Sequence, residues 1–282
     1  MKMKVSSIFK RALLYFAVFV FLFGCLAPFI WVFIGSLHPT QQILTGDVTF
    51  IPDNPTLKNY IPLFASELGI KNFHRYIVNS LIVGLGTALL SSIISSVGAY
   101  GLSRYEFRGK NVLARLMLFV YVFPVILVAL PVHQMMARVN LADSRLGIIL
   151  IHTALAAPFC TWLLRSFFDS IPNVIEESAA VDGASQLQSM FYIVLPLAAP
   201  GVITAGVYAL VSSWGEYLFV SILINSDSVK TLPLGIGMYT AEQYIEWGQL
   251  LAGTVLVFLP LFLIFLPLSR YFIQGFMEGA IK

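Results

Sequence analysis

The sequence predicts an all-α membrane protein of six transmembrane helices with one helical excursion between the fourth and fifth, and three observations carry that prediction. Of 282 residues, 58% are hydrophobic and only 11% charged, with a mean hydropathy of +0.85; a soluble globular chain carries about 25% charge. Six apolar stretches are long enough to cross a hydrocarbon core of about 30 Å, which takes about 20 helical residues. The Lys and Arg residues gather in the loops that would share one side of the membrane. This composition excludes a soluble globule, a disordered tail and a disulfide scaffold. Seventeen Lys and Arg against fourteen Asp and Glu leave a net +3, too small a basic excess to point to nucleic acid. Cys25 and Cys160 lie in apolar stretches, where a free thiol behaves as a small hydrophobe.

The spans follow one another in a single domain, 1–282, at about 12–37, 76–103, 112–137, 146–165, 196–223 and 247–269. In the first, Leu22-Phe23-Gly24-Cys25 has the outline of a lipoprotein signal. Phe23 is bulky where such sites want a small residue, and the apolar run continues to Ile34, so a retained span is expected. The charge-free run from Gly183 to Gly215 is too long for one span. A residue before proline is pushed out of the α region, so Pro196 is expected to end a short amphipathic piece at Leu195 and to open the fifth span. Placing the N-terminus inside puts Lys2, Lys4, Lys10, Arg11, Arg104, Arg108, Lys110 and Arg115 on the cytoplasmic side, which predicts cytoplasmic termini. The external loops are then about 38–75, 138–145 and 224–246.

The cytoplasmic excursion, 166–195, reads as two short helices. Pro172 suits a first helical turn, and Glu176 and Glu177 follow early enough to favour the positive end of the dipole. Gly183 supplies a residue able to take φ > 0 just past the end. Ser185 with Gln188 matches a capping box that starts the second helix. Leu187, Met190, Phe191, Val194 and Leu195 then form one apolar stripe, with no span to bury it. Such a bent hairpin either docks on a cytoplasmic partner or lies on the membrane surface, and the pattern alone does not separate the two.

At these residues the chain resembles a known family. Glu177-Ser178-Ala179, then Gly183, then Ile193-Val194-Leu195-Pro196 reproduces the E-A-A-x3-G-x9-I-x-L-P loop of the inner-membrane permeases of binding-protein-dependent ABC importers, with Ser178 in place of an alanine. Asp182, Ala184, Pro200-Gly201, the stretch Arg104 to Lys110 and the tail with Gln274-Gly275-Phe276 resemble the carbohydrate branch, of the six-span maltose-importer permease type. The resemblance implies the type I importer permease fold, a place in a bacterial or archaeal cytoplasmic membrane, and a coupling helix seated in a cleft of a separate ATPase. Glu177, Ser178, Ala179, Ala180, Asp182, Gly183, Ile193, Leu195 and Pro196 would form that coupling site. It further implies a homologous permease partner, two ATPase subunits and an extracytoplasmic solute-binding protein, with half of a sugar pathway in this chain. No G-x4-G-K-[ST] loop occurs, so the chain is expected to be no enzyme and to hold no cofactor, ATP and Mg belonging to the ATPase.

Other residues carry weaker signals. Glu216 is a carboxylate within the fifth span, costly unless it faces water or a partner, and is either a polar pathway residue or a structural pair. Trp214-Gly215-Glu216-Tyr217 resembles a Trp-Asn-acid-aromatic stretch of the carbohydrate permeases, with Gly215 replacing the asparagine. Asn79 and the small residues Ser91, Ser92, Ser95 and Ser96 of the second span suit tight helix packing better than a pathway lining, although Asn79, Trp214, Glu216 and Tyr217 are kept as pathway candidates. His38, His74, His133 and His152 show no metal spacing. In the third external loop, the resemblance makes Pro233, Gly235, Gly237 and Tyr239 candidates for contact with the binding protein, against an ordinary loop with Tyr239 or Tyr244 as interfacial anchor. An ion-driven secondary transporter would want several paired intramembrane charges and an internal repeat; one glutamate and no visible repeat argue against it. A permease for a non-sugar solute stays open.

Overall fold

The computed structural model describes residues 2–46, 48–65, 73–237 and 246–280, without the side chains of 2–9 and 270–280. The described residues form helices joined by turns and loops, with no strand among them. Among the described residues four helices, Lys10–Ser36, Phe73–Arg104, Arg145–Ser170 and Trp247–Ser269, are long and apolar enough to cross a membrane, and up to six if each of two bent pairs is one span. Where the sequence suggests one domain, the contacts group into two compact units, Met1–Asn72 with Ile236–Leu259, and Phe73–Gly235 with Pro260–Lys282.

The first unit holds α1 (Lys2–Ser36), α2 (Thr40–Thr45), α3 (Ile61–Phe64) and the first part of α14 (Trp247–Ala280). The apolar side chains of α1, among them Phe16, Phe19 and Phe21, are exposed, as suits contact with lipid. The chain leaving α1 is fastened by one buried asparagine. Asn59 Nδ2 donates to the carbonyls of Ser36 and His38, both at 2.8 Å, giving orphan acceptors near the helix end a partner.

The second unit is built on α4 (Phe73–Arg104), α7 (Arg145–Ser170) and α11 (Ala199–Trp214). Ala99, Ala156, Ala205 and Ala209 share a buried cluster with Cys160, Leu164 and Phe168, small side chains that let the backbones approach where no water drives association. At Gly201 the helices approach closely: a Cβ there would lie 2.5 Å from Cγ of Phe167. Ser91, Ser95 and Ser96 are buried, and Ser95 donates to the Ala157 carbonyl at 3.1 Å.

Two of the expected spans are broken helices. The third, expected over 112–137, consists of α5 (Lys110–Phe119) with a 3-10 turn, Val120–Val122, and α6 (Ile126–Arg138), bent by 102°. Phe123 precedes Pro124 and is extended, ψ 130°, as the proline ring requires. The fifth span, expected over 196–223, breaks at Gly215-Glu216-Tyr217 into α11 and α12 (Leu218–Leu223).

Pro196 also does not end the preceding helix. After α8 (Asn173–Val181) and α9 (Gln186–Ser189), the chain passes through a π turn, Met190–Val194, into α10 (Leu195–Leu197), with Leu195 helical at φ −63° and ψ −42°. The π turn shifts the hydrogen-bond register, so that Pro196 falls in a first α turn, where its missing N–H costs nothing. The bend of 78° falls instead at Ala198. The stretch Phe73–Gly235 ends within α13 (Leu232–Gly237), whose last two residues belong to the first unit.

Candidate functional site

The excursion between α7 and α11 has the bent form its sequence suggests. Pro172 is the N-cap of α8 rather than its first residue, at φ −61° and ψ 135°. Gly183 takes φ +88°, and the helix closes with Gly183 N–H donating to Ala180 at 3.0 Å and Ala184 N–H to Ala179 at 2.9 Å, a Schellman motif that the left-handed residue makes possible. Ser185 and Gln188 complete the capping box of α9 in both directions, at 2.8 and 3.3 Å. Ser178 Oγ donates to the Val174 carbonyl at 2.8 Å, so its hydroxyl is satisfied within α8.

The apolar stripe of the second helix is not wholly free, contrary to expectation. Met190 and Val194 are buried in the cluster with Tyr100, Leu164 and Phe168, Leu195 and Ile193 are half-buried, and Leu187 and Phe191 are exposed. The helix is therefore moored to the bundle by one edge of the stripe and presents the other. On the presented side stand Val174, Val181, Leu187 and Tyr192, with Glu177, Asp182, Gly183 and Pro196 also exposed, Ala180 open and Ala179 buried. Of the two neighbouring carboxylates, Glu176 is turned inward and bonded to Arg104 and Tyr100, and Glu177 is left at the surface. The role of Glu176 was not legible in the sequence, where both glutamates read alike as dipole partners.

A second polar centre lies inside the bundle. Glu216 accepts the amides of Phe219 at 2.9 Å and Val220 at 3.3 Å, satisfying the first turn of α12, and meets His152 Nε2 at 3.1 Å. His152 Nδ1 lies 2.7 Å from Ser213 Oγ, itself 3.4 Å from Thr87 Oγ1, so α4, α7 and α11 share one chain of polar atoms. An ionised carboxylate only accepts, so it is Nε2 that carries a proton toward Glu216. His152, Ser213 and Glu216 open on a cavity of about 150 Å³ otherwise lined by Val120, Tyr121, Leu155 and Tyr208 among others. Of the remaining pathway candidates, Trp214 is buried at the end of α11 and Tyr217 is exposed. The geometry joins Glu216 to a histidine that spacing alone could not pair with it.

Asn79 stands apart from that cavity. Its amide donates to the carbonyls of Ser228 at 2.9 Å and Lys230 at 2.8 Å, and its oxygen accepts from Arg145 Nε at 2.8 Å. With Tyr76 bonding Asp227 and Ser80 Oγ accepting from Leu232 N–H, it pins the segment 227–232 to the start of α4. Pro233 and Gly235 lie in α13, with Gly235 buried against the Tyr76 ring, and Gly237 is its last residue. Tyr239 and Tyr244 lie outside the described residues.

Asp143 holds the other end of the same loop, accepting the amides of Asn225 at 3.0 Å and Ser226 at 2.9 Å and the Ser226 hydroxyl. Slight burial works to raise its pKa, but these hydrogen bonds outweigh it and hold the carboxyl below the usual aspartate range. Its contribution is therefore complete above about pH 4, the ordinary range of a free aspartate, and is lost as pH falls through the depressed folded value. Amide exchange at Asn225 and Ser226 is expected to show unchanged protection from pH 7 to 5 and to lose it only on further acidification.

Straight and broken helices of membrane-crossing length, with a polar centre and a capped, bent protrusion, define a polytopic membrane protein. Residues 88–277 match the family described as binding-protein-dependent transport system inner membrane component, and the chain belongs to that family. It is 32% identical over 279 residues to the sulfoquinovosyl glycerol transport system permease protein of Agrobacterium fabrum, covering 99% of this chain and 96% of that one. It is also 30% identical over 259 residues to the trehalose transport system permease protein of Mycobacterium tuberculosis, covering 91% and 92%. Among solved structures, a chain of a bacterial ABC transporter involved in the import of the acidic polysaccharide alginate superposes with a TM-score of 0.75 at 23% identity, covering 95% of this chain and 97% of that one, a likeness of fold. The resemblance read from the loop residues is thereby met: the chain is a helical inner-membrane permease subunit of an ABC importer.

Proposed function

We propose that this chain forms half of the translocation pathway for a sugar, an oligosaccharide or a related polyol or sugar phosphate. It works with a homologous permease, two copies of an ATPase and an extracytoplasmic solute-binding protein. The observation that carries this reading is the protrusion 172–196: a Gly183 bend fixed by two caps, with one apolar edge moored in the bundle and the other exposed. An exposed apolar and acidic edge on a rigid hairpin suits a cleft in a partner. Relatives named for sulfoquinovosyl glycerol and trehalose transport support the sugar reading. In the cycle, ATP closes the ATPase dimer, the protrusions move inward, the pore turns outward to accept solute, and hydrolysis resets it. ATP and Mg belong to the ATPase, and the excess of Lys and Arg near residues 2–11 and 104–115 supports a cytoplasmic location for both termini.

Glu177 is the exposed carboxylate of the hairpin, and its substitution tests the reading. Glu177→Lys reverses a charge at the surface without disturbing any intrachain bond among those described. Insertion in the membrane is expected to be unchanged, while ATPase co-purification and solute uptake both fall by about tenfold, a loss of roughly 1.4 kcal/mol, close to the low end measured for interfacial charge pairs. Unchanged uptake with full ATPase recruitment would remove Glu177 from the coupling site.

A further inference from the structure

The protrusion is joined to the bundle through the backbone at two places, and both are weak joints. It leaves α7 through two extended residues, Ile171 at ψ 119° and Pro172 at ψ 135°, and reaches α11 across the 78° bend at Ala198. The second helix of the protrusion is moored by Met190 and Val194 and by the Tyr105 hydroxyl donating to Gln186 at 2.6 Å, but α8 lies across the Gly183 bend from it. A displacement applied to α8 would be taken up by these joints unless a contact of its own ties it to a rigid element. Ala179 is the only residue of α8 that is buried, so apolar packing supplies little of that tie.

The tie is polar. Glu176 of α8 reaches the last turns of α4, where Arg104 Nε donates to Oε1 at 2.5 Å and the Tyr100 hydroxyl donates to Oε2 at 2.7 Å. Arg104 also donates through Nη2 to the carbonyl of Ile171 at 3.0 Å, spanning the extended joint itself. The two charged side chains are 11% and 15% exposed, little enough for solvent to leave the pair strong and directional. The helix so gripped is continuous for 32 residues. From Arg104 back to Asn79, which bonds the carbonyls of Ser228 and Lys230, it spans about 37 Å at about 1.5 Å per residue. One rigid rod thus holds the protrusion at one end and the segment 227–232 at the other.

We propose that Glu176 is the positioning residue of this permease: through Arg104 and Tyr100 it converts movement of the protrusion into movement of α4, and so of the loop pinned to the far end of that helix. The proposal rests on the reading of the protrusion as the seat of an ATPase. Glu176 itself touches neither nucleotide nor solute. It acts by making α8 and α4 one body, and the neighbouring Glu177, exposed, is left to face the partner.

The test uses the whole complex, this chain with its permease and ATPase partners in lipid vesicles with solute-loaded binding protein, and reads the ATP hydrolysed per solute imported. Glu176→Gln and Tyr100→Phe are expected to recruit the ATPase normally and to raise that ratio, by about tenfold for the first, as solute no longer controls hydrolysis. The exchanged pair Arg104→Glu with Glu176→Arg is expected to recover most of the coupling lost in either single charge variant. Glu176→Gln and Tyr100→Phe complexes with an unchanged ratio would overturn the proposal. So would a loss confined to the amount of complex assembled, with normal coupling in whatever assembles, because the contact would then be structural alone. Failure of the unmodified chain to bind any ATPase is a different result, which overturns the underlying reading and is seen before any variant is made.

Discussion

Gly183→Val is expected to cut coupled transport by about 5–30-fold while leaving the membrane bundle intact. At φ +88° an L side chain pays about 1–2 kcal/mol for the left-handed region, more when branched at Cβ, so the valine form would leave that conformation. The cost does not come from crowding, because a Cβ at Gly183 meets nothing within 4 Å. What is lost is the Schellman closure, the bonds from Gly183 to Ala180 and from Ala184 to Ala179, and with it the angle between α8 and α9. A penalty of about 1–2 kcal/mol shifts the population of the bent form by about 5–30-fold, and uptake should fall in proportion. Asparagine tolerates the left-handed region, so Gly183→Asn should keep most of the activity. Comparing uptake of the two variants at equal membrane content checks the prediction; equal uptake by the valine and asparagine variants would show that the bend plays no part.

The second large effect is expected at Glu216, and it separates two substitutions that look similar in size of change. Glu216→Ala leaves His152 and the amides of Phe219 and Val220 without their partner inside the bundle, a loss of about 3 kcal/mol or more, enough to deplete the assembled protein. Glu216→Gln keeps an oxygen for the Phe219 amide and gives up only the longer bond from Val220, and the histidine can move its proton from Nε2 to Nδ1, donating to Ser213 and accepting from the new amide. Assembly and melting temperature should then stay close to those of the unmodified protein. The glutamine variant therefore isolates the negative charge. Loss of uptake at full assembly would assign the carboxylate to the solute path through the 150 Å³ cavity, and normal uptake would assign it to the fold.

Which features were legible in the sequence follows from their range along the chain. The Gly183 bend and the Ser185–Gln188 box are closed by residues three to five positions apart, so their chemistry is written in consecutive letters. The 102° break at Phe123-Pro124 was legible in principle, because the restriction a proline places on its predecessor is equally local, but the apolar run across it masked the signal. At Pro196 the same local rule gave the wrong answer, since the π turn before it moved the proline to a position where it costs nothing. The bonds of Glu176 to Tyr100 and Arg104 join residues more than seventy positions apart, and that of His152 to Glu216 joins residues 64 apart; no periodicity encodes either.

Composition and short-range pattern alone determined that this chain is a helical membrane protein and which loop carries the family's signature. Those are consequences of transfer free energy and of hydrogen bonds closed within one helical turn, both of which act on neighbouring residues. Only the tertiary structure decided which of two adjacent glutamates turns inward, which edge of an apolar stripe is moored and which is offered, and that an intramembrane carboxylate is matched to a histidine. These choices depend on what an unrelated stretch of chain brings to the same point in space, and the physical cause is that a buried charge must find its partner wherever the packing of the helices has placed one.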